Sequence, residues 1–213
     1  CRAHKGHMEP LLKKSGFIVH LLALHNSKLK LGASWEEDSS ETIAILKDQK
    51  ADWLILDHYE IDHQWHKSLR PYVQNIMAID DLSNRMFDCD LLLDQTFKKK
   101  IEDYTPFISN STECLLGPEY ALLRPDFFQL RQTALKKRQG PFELNNILLS
   151  VGGMAQKNII QFILEALNKV HFKKSPTINI VLSSQAPELK EIKKISDSHQ
   201  LKINVLTDVN NMA

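Results

Sequence analysis

Three cysteines in 213 residues, Cys1, Cys89 and Cys114, are too few and too widely spaced for a metal motif or a disulfide framework. That scarcity fits a reducing cytoplasm, the expected location. No stretch approaches the ~18 apolar residues that a membrane span needs, and the N-terminus does not read as a signal peptide. Net charge is nearly absent: 27 Lys and Arg against 26 Asp and Glu leave +1, so nothing electrostatic argues for a nucleic-acid partner. The runs Lys98-Lys99-Lys100 and Lys136-Lys137-Arg138 read as solvated surface. The seven glycines form no G-x-G-x-x-G fingerprint, no phosphate-binding loop with its lysine and no G-x-S-x-G elbow. These absences argue against a nicotinamide dehydrogenase. Hydrophobic residues at 43% and charged residues at 25% are ordinary for a soluble globular protein. The chain opens with Cys1 and closes on Asn210-Asn211-Met212-Ala213, which resembles a helix start, so both ends read as cut.

What is present is an alternation of apolar runs and helical periodicity. Strands are expected at 17–24, 52–56, 75–79 and 91–93, with helices at 39–50, 62–73 and 127–138. The run Asp52–Leu56 is almost wholly apolar, as in a parallel strand covered on both faces. Gln139-Gly140-Pro141 breaks the pattern and suggests a domain boundary. A second series follows: strand 146–151, helix 157–169, strand 177–182, helix 187–198 and strand 202–206. The expected class is α/β, with domains 1–139 and 140–213 around a cleft at the carboxyl ends of the strands.

In such sheets the residues just beyond a strand carry the chemistry. Asp57-His58-Tyr59 follows strand 52–56, where it could orient a sugar or a water. Equally, Asp57 could cap the next helix and Tyr59 pack at the sheet edge. Asp80-Asp81 follows strand 75–79; two carboxylates could bind a metal or act as acid and base. The structural reading is preferred there, with Asp81 closing an Asx turn and Asp80 anchoring the loop. Gly152-Gly153, between a strand and a helix, lets a phosphate approach backbone N–H groups, and Asn158 stands at that helix's start as a cap or a ligand contact. The pairs His4/His7 and His63/His66 have i, i+3 spacing but no third metal ligand, so exposed or interface histidines and no metal are expected.

Several segments, in order, carry a resemblance: Cys1-Arg2-Ala3-His4-Lys5-Gly6-His7, Leu31–Trp35, Leu54-Ile55-Leu56-Asp57-His58-Tyr59, Ile79-Asp80-Asp81-Leu82 with Arg85, Cys89–Leu93, Gly117–Phe127 and Ser150–Gly153. Through them the chain resembles the UDP-sugar hydrolases of the pseudaminic acid pathway, a family related in architecture to the GT-B-type N-acetylglucosaminyltransferase of peptidoglycan synthesis. The resemblance implies two Rossmann-like domains of GT-B type, both incomplete here, the first lacking its opening strand and catalytic loop. It implies release of UDP from a UDP-linked 2,4-diacetamido-2,4,6-trideoxy sugar by inverting attack of water, without metal or cofactor. The family's general-base histidine would precede Cys1; neither His4 nor His7 fits its motif. The family's active-site tyrosine maps onto Tyr59; Asp57, His58, Gly152, Gly153 and Asn158 are expected as substrate-binding positions from their places after the strands. Met154-Ala155 departs from the family's small hydroxyl residue and aspartate, which bears on the contacts near Gly152. The piece alone is expected to be inactive. A GT-B-type glycosyltransferase with a UDP-sugar donor and a non-catalytic sugar-nucleotide-binding module are the alternatives.

Overall fold

Pro10 sits in the first turn of a short helix, α1 (Glu9–Lys14), where the N–H it lacks would have had no helical partner. The computed structural model describes residues 2, 4, 8–26, 28–49, 51–141, 143–151 and 157–209, with only the backbone of Lys157. The expected strand at 17–24 does not form. That segment forms no strand beyond a single bridge, Arg2 to Leu22, with Arg2 Nη1 also donating to the Ala23 carbonyl, and Phe17 and Ile18 are exposed. Its β-propensity finds no neighbouring strand among the described residues, and propensity without a paired, half-buried surface does not make a sheet.

Helix α2 (Trp35–Leu46) begins four residues before the expected Ser39. The reason is a reciprocal cap. Ser34 Oγ accepts from the Glu37 N–H at 3.2 Å, and Glu37 Oε2 accepts from the Ser34 N–H at 2.8 Å. Strand β1 (Ala51–Leu56) leads into α3 (His63–Leu69), which Asp62 caps by accepting from Gln64 N–H at 2.9 Å. Strands β2 (Val73–Ile79), β3 (Leu91–Asp94) and β4 (Glu113–Leu116) complete a parallel sheet in the order β1-β2-β3-β4. The sequence reading missed β4. Leu69, Ile76 and Leu92 are fully buried at the centre of this core. β1 departs from its expectation of cover on both faces: it has a neighbour only in β2, and Trp53 and Ile55 are 49% and 60% exposed.

These elements form one unit, Cys1–Leu122; Leu123–Ala213 forms a second. The division falls ahead of α4 (Pro125–Lys137), whereas the boundary expected at 139/140 would place that helix with the first unit. The second unit continues with β5 (Asn146–Ser150), α5 (Lys157–Asn168), β6 (Thr177–Leu182), α6 (Leu189–Asp197) and β7 (Ile203–Thr207). Its three strands are parallel in the order β5-β6-β7. Along β6 the buried residues Ile178, Ile180 and Leu182 alternate with half-buried ones and pack on Ile160 and Leu164 of α5 and Ile192 of α6. The α/β class expected from the sequence is what the chain adopts. No described helix is long and apolar enough to cross a membrane.

A buried polar layer ties the strand tips of the first unit. Asp80 and Asp94, each the last or next residue of its strand, have side chains with no exposure. The Tyr104 hydroxyl lies 2.9 Å from Asp80 Oδ2 and 2.8 Å from Asp94 Oδ2, and its one proton serves one carboxylate at a time. Arg85 Nη1 donates to Asp80 Oδ1 at 2.6 Å, and Lys99 Nζ stands 3.3 Å from Asp94 Oδ2, so two cations balance two anions. Burial would raise Asp94, but bonds from Thr96 and Tyr104 and the charge of Lys99 outweigh it and hold the carboxyl below its usual value. Tyr104, desolvated between two carboxylates, is pushed far up and stays a donor.

His66 corrects the expectation of exposed histidines: it is 1% exposed, flanked by the rings of Trp65 and Phe87, and its Nδ1 accepts from Asp88 N–H at 3.1 Å. Burial lowers it from 6.5 to about 4, only partly opposed by Asp88 and Asp62. Between those values an unfolded chain binds a proton that the folded chain refuses. Its contribution is therefore whole above pH 6.5 and is lost as pH falls through 4, amounting to roughly 3 kcal/mol. Urea unfolding of His66→Asn is expected to show a shallower loss over that window than the parent; parallel curves would assign the acid sensitivity elsewhere. Tyr104→Phe, which deprives two buried carboxylates of their shared donor, is expected to cost roughly 1.5–3 kcal/mol in the same measurement at pH 7.

Candidate functional site

The loop after β1 places Asp57 in solvent, His58 half-buried and Tyr59 52% exposed. His58 Nδ1 accepts from the Glu60 N–H at 3.2 Å, which fixes the ring over its own loop. Of the two readings of Asp57-His58-Tyr59, capping by Asp57 does not occur, because Asp62 caps α3. Nor is Tyr59 packed away at the sheet edge. The Asp81 carboxylate, by hydrogen bonding and then by its charge, raises the Tyr59 phenol above the ordinary value, with smaller contributions from slight burial and the charges of Asp57 and Asp80. A phenol so placed keeps its proton at neutral pH and acts as a hydrogen-bond donor, not as a base.

Asp80 anchors the loop as expected, but the Asx turn expected of Asp81 is made by Asp80 too, which accepts from Leu82 N–H at 3.1 Å and Ser83 N–H at 2.7 Å. Asp81 is exposed and faces Tyr59. Lys99 Nζ adds a bond to the Asp81 carbonyl at 3.2 Å, closing the loop from the β3 side.

Asp57 and His58 also border a cavity of about 600 Å³ inside the first unit, with Leu54–Leu56 of β1 along one wall. Tyr59 is not part of that wall. The same cavity is lined by a buried cluster: Arg2 Nε and Nη2 donate to Asp38 Oδ2 at 3.0 and 2.7 Å, and Trp65 Nε1 donates to Asp38 Oδ1 at 3.0 Å. His4 borders the same cavity, and its Nε2 is buried without a hydrogen-bond partner among the described residues. Asn158 is exposed in the first turn of α5, in the second unit. Gly152 and Gly153 lie outside the described residues, as do Met154, Ala155 and His7. The structure thus brings Asp57, His58 and Tyr59 to one sheet end.

Among the described residues no group of three or more His, Cys, Asp and Glu is arranged to hold a metal. The two described cysteines are poor nucleophiles: burial pushes Cys89 up to about 12 and raises Cys114 as well. Sequence reasoning missed Asp81 as the partner of Tyr59, and it missed Asp94 and Tyr104 altogether; Lys99, read as solvated surface within Lys98-Lys99-Lys100, is instead a largely covered partner of Asp94. Asp94 was findable by the rule already applied to Asp57 and Asp80, since it closes the next strand. Tyr104, in a loop without periodicity, left no such signal.

No family model matches the chain. It is 29% identical over 178 residues to the UDP-2,4-diacetamido-2,4,6-trideoxy-beta-L-altropyranose hydrolase of Campylobacter jejuni, which takes in 83% of this chain and 60% of that protein. It is 24% identical over 182 residues to the uncharacterized protein MJ1062 of Methanocaldococcus jannaschii, covering 83% of this chain and 37% of the other. The chain therefore spans about three-fifths of the first relative and less of the second. Among solved structures, MurG of Acinetobacter baumannii matches 99% of this chain and 59% of its own, with a TM-score of 0.56 and 13% identity, a likeness of fold alone. The similarity to the Campylobacter jejuni hydrolase supports the resemblance carried by the motifs, and MurG supports the α/β, GT-B-type fold class.

Proposed function

We propose that this chain is part of an enzyme that processes a UDP-sugar, and that it hydrolyses a UDP-linked 2,4-diacetamido-2,4,6-trideoxy sugar to the free sugar and UDP, as in pseudaminic acid biosynthesis. The observation that carries this is the similarity to the Campylobacter jejuni hydrolase over 83% of the chain. The position of Tyr59 at a strand end, held as a donor by Asp81, supports it. In this reading water attacks the anomeric carbon, the bond from that carbon to the UDP oxygen breaks with inversion, and UDP leaves as a stabilised anion. The water's proton goes to a base that none of Asp57, His58 and Tyr59 supplies here. Tyr59 donates its phenol hydrogen bond to the sugar or to the oriented water, and Asp57 and His58 border the sugar. Gly152, Gly153 and Asn158 are the positions of the second unit that we assign to binding the UDP-sugar.

A protein of this fold could equally transfer the sugar to an acceptor, because fold does not decide chemistry. The gene product that contains this chain, incubated with the UDP-diacetamido sugar in water alone, is expected to release UDP, and NMR is expected to show the inverted anomer first. Release that requires an added sugar or lipid acceptor would replace hydrolysis by transfer, and tight binding without release would make it a binding module. Tyr59→Phe in the same protein is expected to lower kcat by roughly 10- to 100-fold with the thermal midpoint unchanged, the worth of one hydrogen bond made in the transition state. Parental kinetics in that variant would remove Tyr59 from the site.

A further inference from the structure

Arg85 belongs to a motif that the proposed chemistry leaves without a task. Its side chain is 14% exposed and reaches three acceptors on two loops. Nε donates to the Ile61 carbonyl at 2.9 Å and Nη2 to the His58 carbonyl at 3.3 Å, one on each side of Tyr59 along the chain. Nη1 donates to Asp80 Oδ1 at 2.6 Å, the carboxylate immediately before Asp81. The guanidinium lies 4.7 Å from the centre of the Phe87 ring, which backs it in this orientation. Asp80 in turn is held by Leu82, Ser83 and Tyr104, so the Asp80 end of the tie does not move freely.

We propose that Arg85 is a positioning residue that sets the loop carrying Tyr59 against the loop carrying Asp81. A planar fork of donors is needed for this. A lysine ammonium at the same place could keep the ion pair with Asp80, but it could not span two carbonyls in the directions that Nε and Nη2 serve. A salt bridge that merely stabilised the unit would need only the carboxylate; the two carbonyl bonds are what connect it to Tyr59. The role in turnover rests on the reading of Tyr59 as a site residue, whereas the positioning itself does not.

The test reads Tyr59 directly. The chain has four tyrosines, Tyr59, Tyr72, Tyr104 and Tyr120. In the protein labelled with 3-fluorotyrosine, the Tyr59 fluorine signal is the one lost in Tyr59→Phe. The charged groups that face its phenol are Asp81, Asp57 and Asp80. In the parent it is expected to titrate above the ordinary range of a 3-fluorotyrosine, and Asp81→Asn is expected to bring it down. Arg85→Lys, with its fold verified by circular dichroism, is expected to bring it down to the Asp81→Asn position although Asp81 is intact. A parental titration in a folded Arg85→Lys protein would overturn the proposal. If that variant does not fold, the parent decides: the Arg85 Nε–H is expected to exchange with water much more slowly than those of exposed arginines, and fast exchange would overturn it. In the hydrolysis assay Arg85→Lys is expected to lose about tenfold in kcat with KM little changed. The fluorine and exchange measurements need no substrate, so a parent protein without turnover would count against the hydrolase reading alone.

Discussion

One phenol hydroxyl, that of Tyr104, stands between the carboxylates of Asp80 and Asp94 and holds the tips of β2 and β3 together. Burying two carboxylates side by side is costly unless every oxygen finds a donor or a cation. Here Arg85, Lys99, Thr96 and the amides of Leu82 and Ser83 supply them. The arrangement converts a repulsive pair into a fixed rim. Because Asp80 is fixed, the next residue, Asp81, is offered to solvent in a defined direction, and because Arg85 bonds the carbonyls of His58 and Ile61, the β1 loop comes to meet it. The exposed pair Tyr59 and Asp81 is thus the outer face of an interior electrostatic problem already solved.

The two units handle their sheets differently. In the second, β6 is central and buries one alternate row of side chains under α5 and α6, so a short sheet has a complete core of its own. In the first, β2 and β3 are buried deeply while β1 lies at the sheet's edge with Trp53 and Ile55 exposed. The apolar content of β1 exceeds what its surroundings in this chain cover. Leu54–Leu56 of β1 line a cavity that Arg2, Asp38 and Trp65 also border. Asp57 and His58 border this space and Tyr59 does not, so adjacent residues in sequence face different surroundings.

Most of the strands and helices were legible. β2, β3, β5, β6 and α5 lie within a residue or two of their expected positions because long apolar runs and helical spacing are local signals. The segment 17–24 was not, since its apolar run pairs with no strand among the described residues, and β4 was not read as a strand. At the site, the rule that chemistry follows the strands led to Asp57, His58, Tyr59, Asp80 and Asp81. Which of the two aspartates would be buried was not legible. Either can make an Asx turn, and only the distant Tyr104 and Arg85 decide between them.

The sequence by itself determined the α/β class, the alternation of strand and helix, and the polar residues placed just beyond the strands, because periodicity, caps and breakers act over a few neighbours. The tertiary structure alone decided that His66 is a neutral core residue, that Asp80 faces inward and Asp81 outward, and that Arg85 joins two loops. Those outcomes depend mainly on donors and acceptors 10 to 27 positions apart in the chain coming together, with Arg85 and Asp80, five apart, completing the set, and no local pattern encodes that proximity.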